Sequence, residues 1–235
     1  MKLVDALLES VSGRSCAIEG CMVGLHWTCV KSRGAGMAHT LRGREGAELE
    51  DAGNITGRDV LEIAARLRSW EALDAALGLA ALCSLVEPAG ERTNVVDYLL
   101  STAPGKTVTC IGRFPFYPDI RKTAKRAFLL EMNPGKDELP SFAAEEVVPE
   151  SDLVILTGTT LINKSLERLL ELSRNGISVV LGPSTPMSEV LFDFGADVLA
   201  GIRVVDPERL FASVSQGVKL YHKIAGIESV TRFRK

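Results

Sequence analysis

Two short hydroxyl-rich runs are the parts of this sequence best suited to hold a ligand. Thr157-Gly158-Thr159-Thr160 is followed by Asn163 and Lys164, and Gly182-Pro183-Ser184-Thr185-Pro186 repeats the arrangement further along. Where such a run joins a strand end to a helix start, free backbone N–H groups and the helix dipole favour an anion. The threonine and serine hydroxyls add donors. The same residues also serve as ordinary helix caps, with Thr160 or Asn163 in that role. Neither run is a P-loop, because GxxxxGK[ST] is absent. A third candidate is Ile111-Gly112-Arg113-Phe114-Pro115-Phe116. A dinucleotide fold needs G-x-G-x-x-G at such a turn, whereas bulky Phe114 and Pro115 would wall the crevice, so NAD is not expected. Glu131 closes the following apolar run, where an acid can serve a ribose or a cation, or simply face solvent.

Cys16, Cys21, His26 and Cys29 invite a metal reading, but their spacing matches no zinc signature, and alternation along strands sends them to different faces. His39 and His222 stand alone in sequence, so only folding can bring either to a site. No GxSxG elbow and no HExxH motif is present, which leaves no hydrolase template.

The elements that must position these loops are legible from apolar patterning. Leu153 to Leu156 and Val179 to Leu181 are unbroken apolar runs, the mark of strands buried on both faces. Between them Leu166, Leu169 and Leu170 recur at helical spacing. Strand, helix, strand makes a βαβ unit, which needs a parallel sheet with ligands gathering at its carboxyl edge. Strands are also expected over 107–112, 127–132 and 198–205, with helices over 118–125, 187–194 and 207–215. The alternation of Val218, Leu220, His222 and Ile224 predicts a last strand at the sheet edge. The stretch 134–149 reads as a long acidic connection.

The first part of the chain is different. Leu3, Val4, Leu7, Leu8 and Val11 share a helical face, strand-like runs follow over 16–22 and 26–31, and Arg33-Gly34-Ala35-Gly36 reads as a flexible turn before a third strand over 37–41. A polar surface loop is expected over 42–54. Thr56-Gly57-Arg58-Asp59 resembles a capping box for a helix turning Val60, Ile63, Ala64 and Leu67 inward. Ser69 caps a further helix over 71–85, whose Ala75, Ala76, Gly78, Ala80 and Ala81 let another backbone approach closely. Asn94 to Leu99 adds a short helix. The breakers between 87 and 105 mark the domain boundary, giving an N-terminal α+β domain over 1–90 and a Rossmann-like parallel-sheet domain over 91–235.

Composition sets the bounds. A net charge of -3 over 235 residues offers no electrostatic footprint for nucleic acid. The start shows no clean apolar leader, and the longest apolar region, 72–86, is interrupted by Asp74 and too short to span a bilayer. Five cysteines without a CxxC pair fit reduced thiols in a cytoplasm.

The run Thr-Gly-Thr-Thr-Leu-Ile-Asn-Lys-Ser from Thr157, together with Leu-Gly-Pro-Ser-Thr-Pro-Met, Gly-Arg-Phe-Pro-Phe and Leu-Glu-Met-Asn-Pro, closely resembles the putative heavy-metal chelation family. His26-Trp27-Thr28-Cys29 and Leu77-Gly78-Leu79-Ala80-Ala81 resemble its N-terminal landmarks. The resemblance implies an enolase N-terminal-like domain followed by a Rossmann-like one, with a small-ligand site in the cleft between them. Arg113, Phe114, Pro115 and Glu131 would line one side of that site, and Thr157, Gly158 and Asn163 another, with Thr159 in the same loop. Gly182 and Ser184 would complete it, joined by the turn from Arg33 to Gly36. Arg113 stands where the family pattern leads one to expect His, which suits an anion better than direct metal ligation. Cys83-Ser84 stands where Asn-Ala is expected. The implied function is handling of a heavy metal or metal chelate, a metal ion being the cofactor left open. An enzyme or sensor acting on an anionic metabolite is the alternative from the residues alone. The expected partner is a small molecule or metal chelate, not nucleic acid or membrane, and a homo-oligomer stays open.

Overall fold

In the computed structural model, residues 2–41, 43 and 47–235 are described. The loop expected over 42–54 therefore falls partly outside the described residues. Helix α1 (Lys2–Glu9) buries Leu3, Val4, Leu7 and Leu8, the face its sequence predicts. Strands β1 (Gly20–Val23), β2 (Trp27–Lys31) and β3 (Ala35–His39) form an antiparallel sheet in that order. The first strand starts later than expected. The turn is shorter than the sequence implies, because Ala35 and Gly36 already pair with Lys31 and Val30.

Helix α2 (Val60–Ala64) is capped by Asp59, whose carboxylate accepts from the Leu61 amide at 2.8 Å. Asp59, not Thr56, is therefore the cap. The helix tightens into a 3-10 turn over Ala65–Arg68. Helix α3 (Ala72–Leu85) follows, with the Ser69 hydroxyl accepting from the Glu71 amide. Ten of its residues are buried, so it is apolar almost all round.

Two elements touch α3 at backbone distance. At Gly36 a Cβ would fall on the Ala80 carbonyl and the Ser84 amide, and at Gly78 it would fall on the Leu67 amide. The small sheet is thus covered on both faces. Val30 and Ala38 join the core beneath α3, while Trp27, Cys29 and Met37 join a second cluster with Leu210 and Val214.

The remainder builds a seven-stranded sheet. Helix α4 (Val95–Thr102), capped by Asn94, leads to β4 (Thr107–Ile111), α5 (Tyr117–Thr123) and β5 (Arg126–Glu131). The stretch read as one connection holds a two-residue edge strand β6 (Leu139–Pro140) and a short helix α6 (Ala144–Val147). Then come β7 (Leu153–Thr157), α7 (Leu166–Leu172), β8 (Ile177–Leu181), α8 (Val190–Asp193), β9 (Val198–Val204), α9 (Pro207–Ser215) and β10 (Ile227–Phe233).

The strand order is β10-β9-β8-β7-β4-β5-β6, parallel throughout except for β10. The order reverses between β4 and β7, which is where a doubly wound sheet opens its crevice. Alternate residues of the central strands serve opposite faces. Leu153 and Ile155 pack with α4 and α5, while Val154 and Leu156 join the core shared with α1 and α3.

The last strand is not at 218–224. That segment turns through a 3-10 element at Tyr221–Lys223, with only Ile224 buried beneath α9. Glycines in the left-handed region, Gly217 and Gly226, bracket it. The edge position goes to Ile227–Phe233, which pairs with all seven residues of β9. Among the described residues no helix is long and apolar enough to cross a membrane.

Helix propensity alone says that Gly78→Ala should stabilise α3 by about 1 kcal/mol. The contact with Leu67 predicts the opposite sign, a loss of about 1–3 kcal/mol from overpacking. Urea unfolding followed by circular dichroism distinguishes the two outcomes.

Candidate functional site

The carboxyl ends of β4, β7 and β8 meet through glycines that allow backbone to approach backbone. Gly112, at φ 106°, lies against Thr157, where an added Cβ would stand 2.9 Å from the threonine methyl. Gly158 packs on the Ser184–Thr185 peptide, which an added Cβ would reach at 2.6 Å. The hydroxyl of Ser184, only 2% exposed, accepts the His39 amide at 2.9 Å. Strand β3 of the small sheet is thereby fastened to the loop after β8.

Hydroxyl chemistry is concentrated in the β7 loop. Thr157 and Thr159 share a hydrogen bond between their Oγ1 atoms at 3.1 Å, and the Thr160 hydroxyl donates to the Thr157 carbonyl at 2.6 Å. The chain continues as a 3-10 turn over Gly158–Leu161, not directly as a helix. Asn163 holds the next start: its Oδ1 accepts from the Ser165 amide at 3.1 Å and hydroxyl at 2.6 Å. Its Nδ2 donates to the Met132 sulfur at 3.5 Å, linking the ends of β5 and β7. Lys164 has the left-handed φ of 67°, and burial lowers its ammonium pKa to about 8. Its Nζ turns back to the Ile162 carbonyl at 2.9 Å.

Arg113 is not a free cation. Its guanidinium forks onto Glu138, with Nε donating to Oε1 at 2.8 Å and Nη2 to Oε2 at 2.5 Å, and Nη2 also donates to the Asn133 carbonyl. The same carboxylate accepts the Gly135 amide. These bonds hold the Glu138 pKa down at about 2, the Arg113 bond being the largest cause. Phe114 stacks on Phe116 with ring centroids 5.2 Å apart. Pro115 is exposed beside them, and Glu131 is half-buried at the end of β5.

Of the residues singled out by sequence, those after β4 and β5 form one side, those of the β7 loop the middle, and Gly182 with Ser184 the other side. Gly182, at φ 115°, donates its amide to Ala200 and accepts from Thr185. Gly36, packed on α3, lines the same narrow crevice as Pro183 and Thr185. Arg33 sits exposed on the turn whose Gly34 amide donates to the Ser84 carbonyl, at the end of α3.

Met132 and Glu138 were not singled out from sequence; Thr185 stood only as part of the run over 182–186, and His39 only as an isolated histidine. The His39 ring stands edge-on to Trp27 at 5.3 Å, and its Nδ1 is buried without a hydrogen-bond partner, as is the Thr185 hydroxyl oxygen. Burial, with His26 and Lys219 nearby, lowers the His39 pKa below its ordinary value. The advance signal for His39 was its place after the glycine turn, within the strand expected over 37–41.

Metal donors are sparse. Among the described residues no group of three His, Cys, Asp or Glu side chains is placed to hold a metal ion. All five cysteines are free thiols, and burial pushes Cys21 up to about 11 and Cys29, Cys83 and Cys110 up to about 12. A larger concavity of about 380 Å³ lies between β1 and residues 47–56. It borders positions outside the described residues and gathers few polar groups, so the convergent loops at the sheet's carboxyl edge make the better candidate.

Two predictions follow from these bonds. The Arg113–Glu138 tether is fully present above the ordinary glutamate range and is lost as pH falls from about 4.5 towards about 2. Arg113→Ala should release it at neutral pH, seen as faster hydrogen exchange of the Gly135 amide. For His39 the folded pKa lies below the unfolded one, so the unfolded chain takes up protons first as pH falls through about 6.5. Stability should therefore decline below that pH, and His39→Gln should flatten the decline in pH-dependent urea titrations.

Comparisons with known proteins bear on the family and the fold. Residues 94–231 and residues 4–86 match two family models, each described as "Putative heavy-metal chelation". An uncharacterized protein of Methanocaldococcus jannaschii is 25% identical over 152 residues, which span 60% of this chain and 59% of that relative's length. A crystal structure of a DUF364-family protein of unknown function from Desulfitobacterium hafniense has 26% identity and a TM-score of 0.88, covering 99% of this chain and 98% of that one. A second DUF364-family structure of unknown function, from Pyrococcus horikoshii, shares the fold at 16% identity and a TM-score of 0.79, with the same coverage.

Proposed function

Because the chain belongs to the putative heavy-metal chelation family, we propose that it binds a small metal-chelating molecule, or its metal complex, at the carboxyl edge of the large sheet. The observation that carries this reading is the convergence of the β4, β7 and β8 loops, with Gly158 against Ser184 and Ser184 on the His39 amide. Hydroxyls, an amide side chain and the Glu131 carboxylate are brought to one edge at the point where strand order reverses. The scarcity of His, Cys, Asp and Glu clusters among the described residues favours a metal that arrives with its own ligands over a bare ion.

Arg113 bears on the alternative, an enzyme or sensor for an anionic metabolite. Its fork is occupied by Glu138, with Glu131 close enough to add to the negative field. An anion would have to displace that carboxylate. A ligand with hydroxyls or cationic character near Glu131 meets no such cost.

The test is a thermal-shift screen of bare metals, metal–chelator complexes and anionic metabolites, with each hit quantified by calorimetry. For a chelate, Glu131→Gln should weaken binding by about 1.5–3 kcal/mol, roughly ten- to a hundredfold. Tighter binding of a plain anion in Glu131→Gln, weakened by Arg113→Ala, would support the metabolite reading instead.

A further inference from the structure

Alternation along β3 decides where its backbone groups point. The Thr40 amide bonds to the His26 carbonyl and the Ser32 amide to the Gly34 carbonyl, so the even-numbered residues face β2. Residues 35, 37 and 39 turn their amides and carbonyls the other way. The His39 amide finds the Ser184 hydroxyl there. Two residues back, the Met37 amide leaves the strand on the same side, and among the described residues no acceptor meets it. Met37 is 1% exposed, so bulk solvent does not serve this group either.

A narrow crevice runs along this edge, lined by Ala35, Gly36 and Met37 on one side and by Pro183, Thr185 and Met187 on another. Thr185 is 3% exposed, and its hydroxyl oxygen has no hydrogen-bond partner. Buried polar groups are normally satisfied, by protein or by a bound species. Here two of them, from different sheets, border one space. That space is about 20 Å³, and a polar cavity holds one water from roughly 10–15 Å³ upward.

The chemistry of the occupant follows from these groups. A backbone amide only donates, so the occupant must accept, which a bare cation does not do. No charged side chain lines the crevice, so an anion would be buried without a counter-charge. What fits is a neutral species one heavy atom across that both accepts and donates. Water accepts from the Met37 amide and has protons for the Thr185 oxygen and for an outward carbonyl of β3. Three bonds are the usual number for a buried water.

We infer that this crevice binds one structural water, which bridges the Met37 amide to the Thr185 hydroxyl. Strand β3 is then joined to the loop after β8 at two successive outward positions. One link runs directly from His39 to Ser184, and the other runs through water from Met37 to Thr185. That loop carries Gly182 and Ser184, so the water helps to hold the ligand edge in place. It uses no side chain assigned to a chelate, and the inference stands whether or not a chelate binds.

The test is a high-resolution crystal structure of the full chain, joined to two variants. One water should lie within roughly 3.2 Å of both the Met37 nitrogen and the Thr185 Oγ1. Thr185→Val keeps the shape of the side chain and removes its hydroxyl. With a bridging water, this change strands the water and the Met37 amide, and the midpoint of urea unfolding should fall. In a dry crevice the same change removes an unsatisfied oxygen, and the midpoint should rise or stay where it is. Thr185→Ser keeps the hydroxyl and should keep the water. The inference is overturned by a wild-type crevice without density, by density that refines as an ion, or by a Thr185→Val midpoint at or above the wild-type value. If Thr185→Val does not fold, the wild-type and Thr185→Ser structures decide, and a crevice without water in either overturns it.

Discussion

The bond from the His39 amide to the buried Ser184 hydroxyl holds the two sheets in register. Strand β3 is an edge strand, and an edge amide turned into the protein must find an acceptor or remain unsatisfied. A serine at the loop after β8 supplies that acceptor where water cannot reach. Gly158 makes the arrangement possible, because any side chain there would strike the Ser184–Thr185 peptide. This seam sets where the end of β3 meets the carboxyl edge of the large sheet.

The seam is supported from both sides of the small sheet. Alanines and Gly78 bring α3 and its neighbours together at backbone distance, leaving little freedom for the sheet to slide. On the opposite face α9 packs Leu210 and Val214 on Trp27, Cys29 and Met37. The apolar core runs without interruption from α1 through α3 to the strands β7 and β8. The chain's two halves, though different in pattern, therefore share packing, and a change at α3 should be felt at the loops.

Much of this was legible because buried parallel strands write themselves as unbroken apolar runs. Leu153–Leu156 and Val179–Leu181 are such runs, and they lie in one sheet with the strand expected over 107–112. The small residues of α3 likewise announced a close approach. What failed did so for physical reasons. Alternation at 218–224 mimicked a strand, yet only Ile224 had a core to enter, and the edge position was taken by a longer segment. Asp206 caps α9 through a purely local bond, its carboxylate accepting from the Arg209 amide three residues on. Glu138 was not found as the partner of Arg113, because that pairing depends on how a 25-residue excursion returns across β5 and β6. His39 was beyond reach for the same reason: its partner is 145 residues away.

The hydrogen-bond inventory of the β7 loop limits what the edge can recognise. Thr157 and Thr159 bond to one another, so between them only one hydroxyl proton is left to offer. Thr160 spends its proton on the Thr157 carbonyl, and Asn163 spends its oxygen capping Ser165. The Asn163 amide holds only a weak sulfur acceptor, which a better one could replace. Against these few donors stands the half-buried Glu131, while the nearest guanidinium is already neutralised by Glu138. A polyanion would find one or two donors and a repelling carboxylate. A neutral or cationic molecule bearing hydroxyls could satisfy Glu131 and accept from Thr157 or Thr159 at once. The balance of donors and charge, more than the shape of the crevice, is what favours a chelate whose metal has already offset its negative groups.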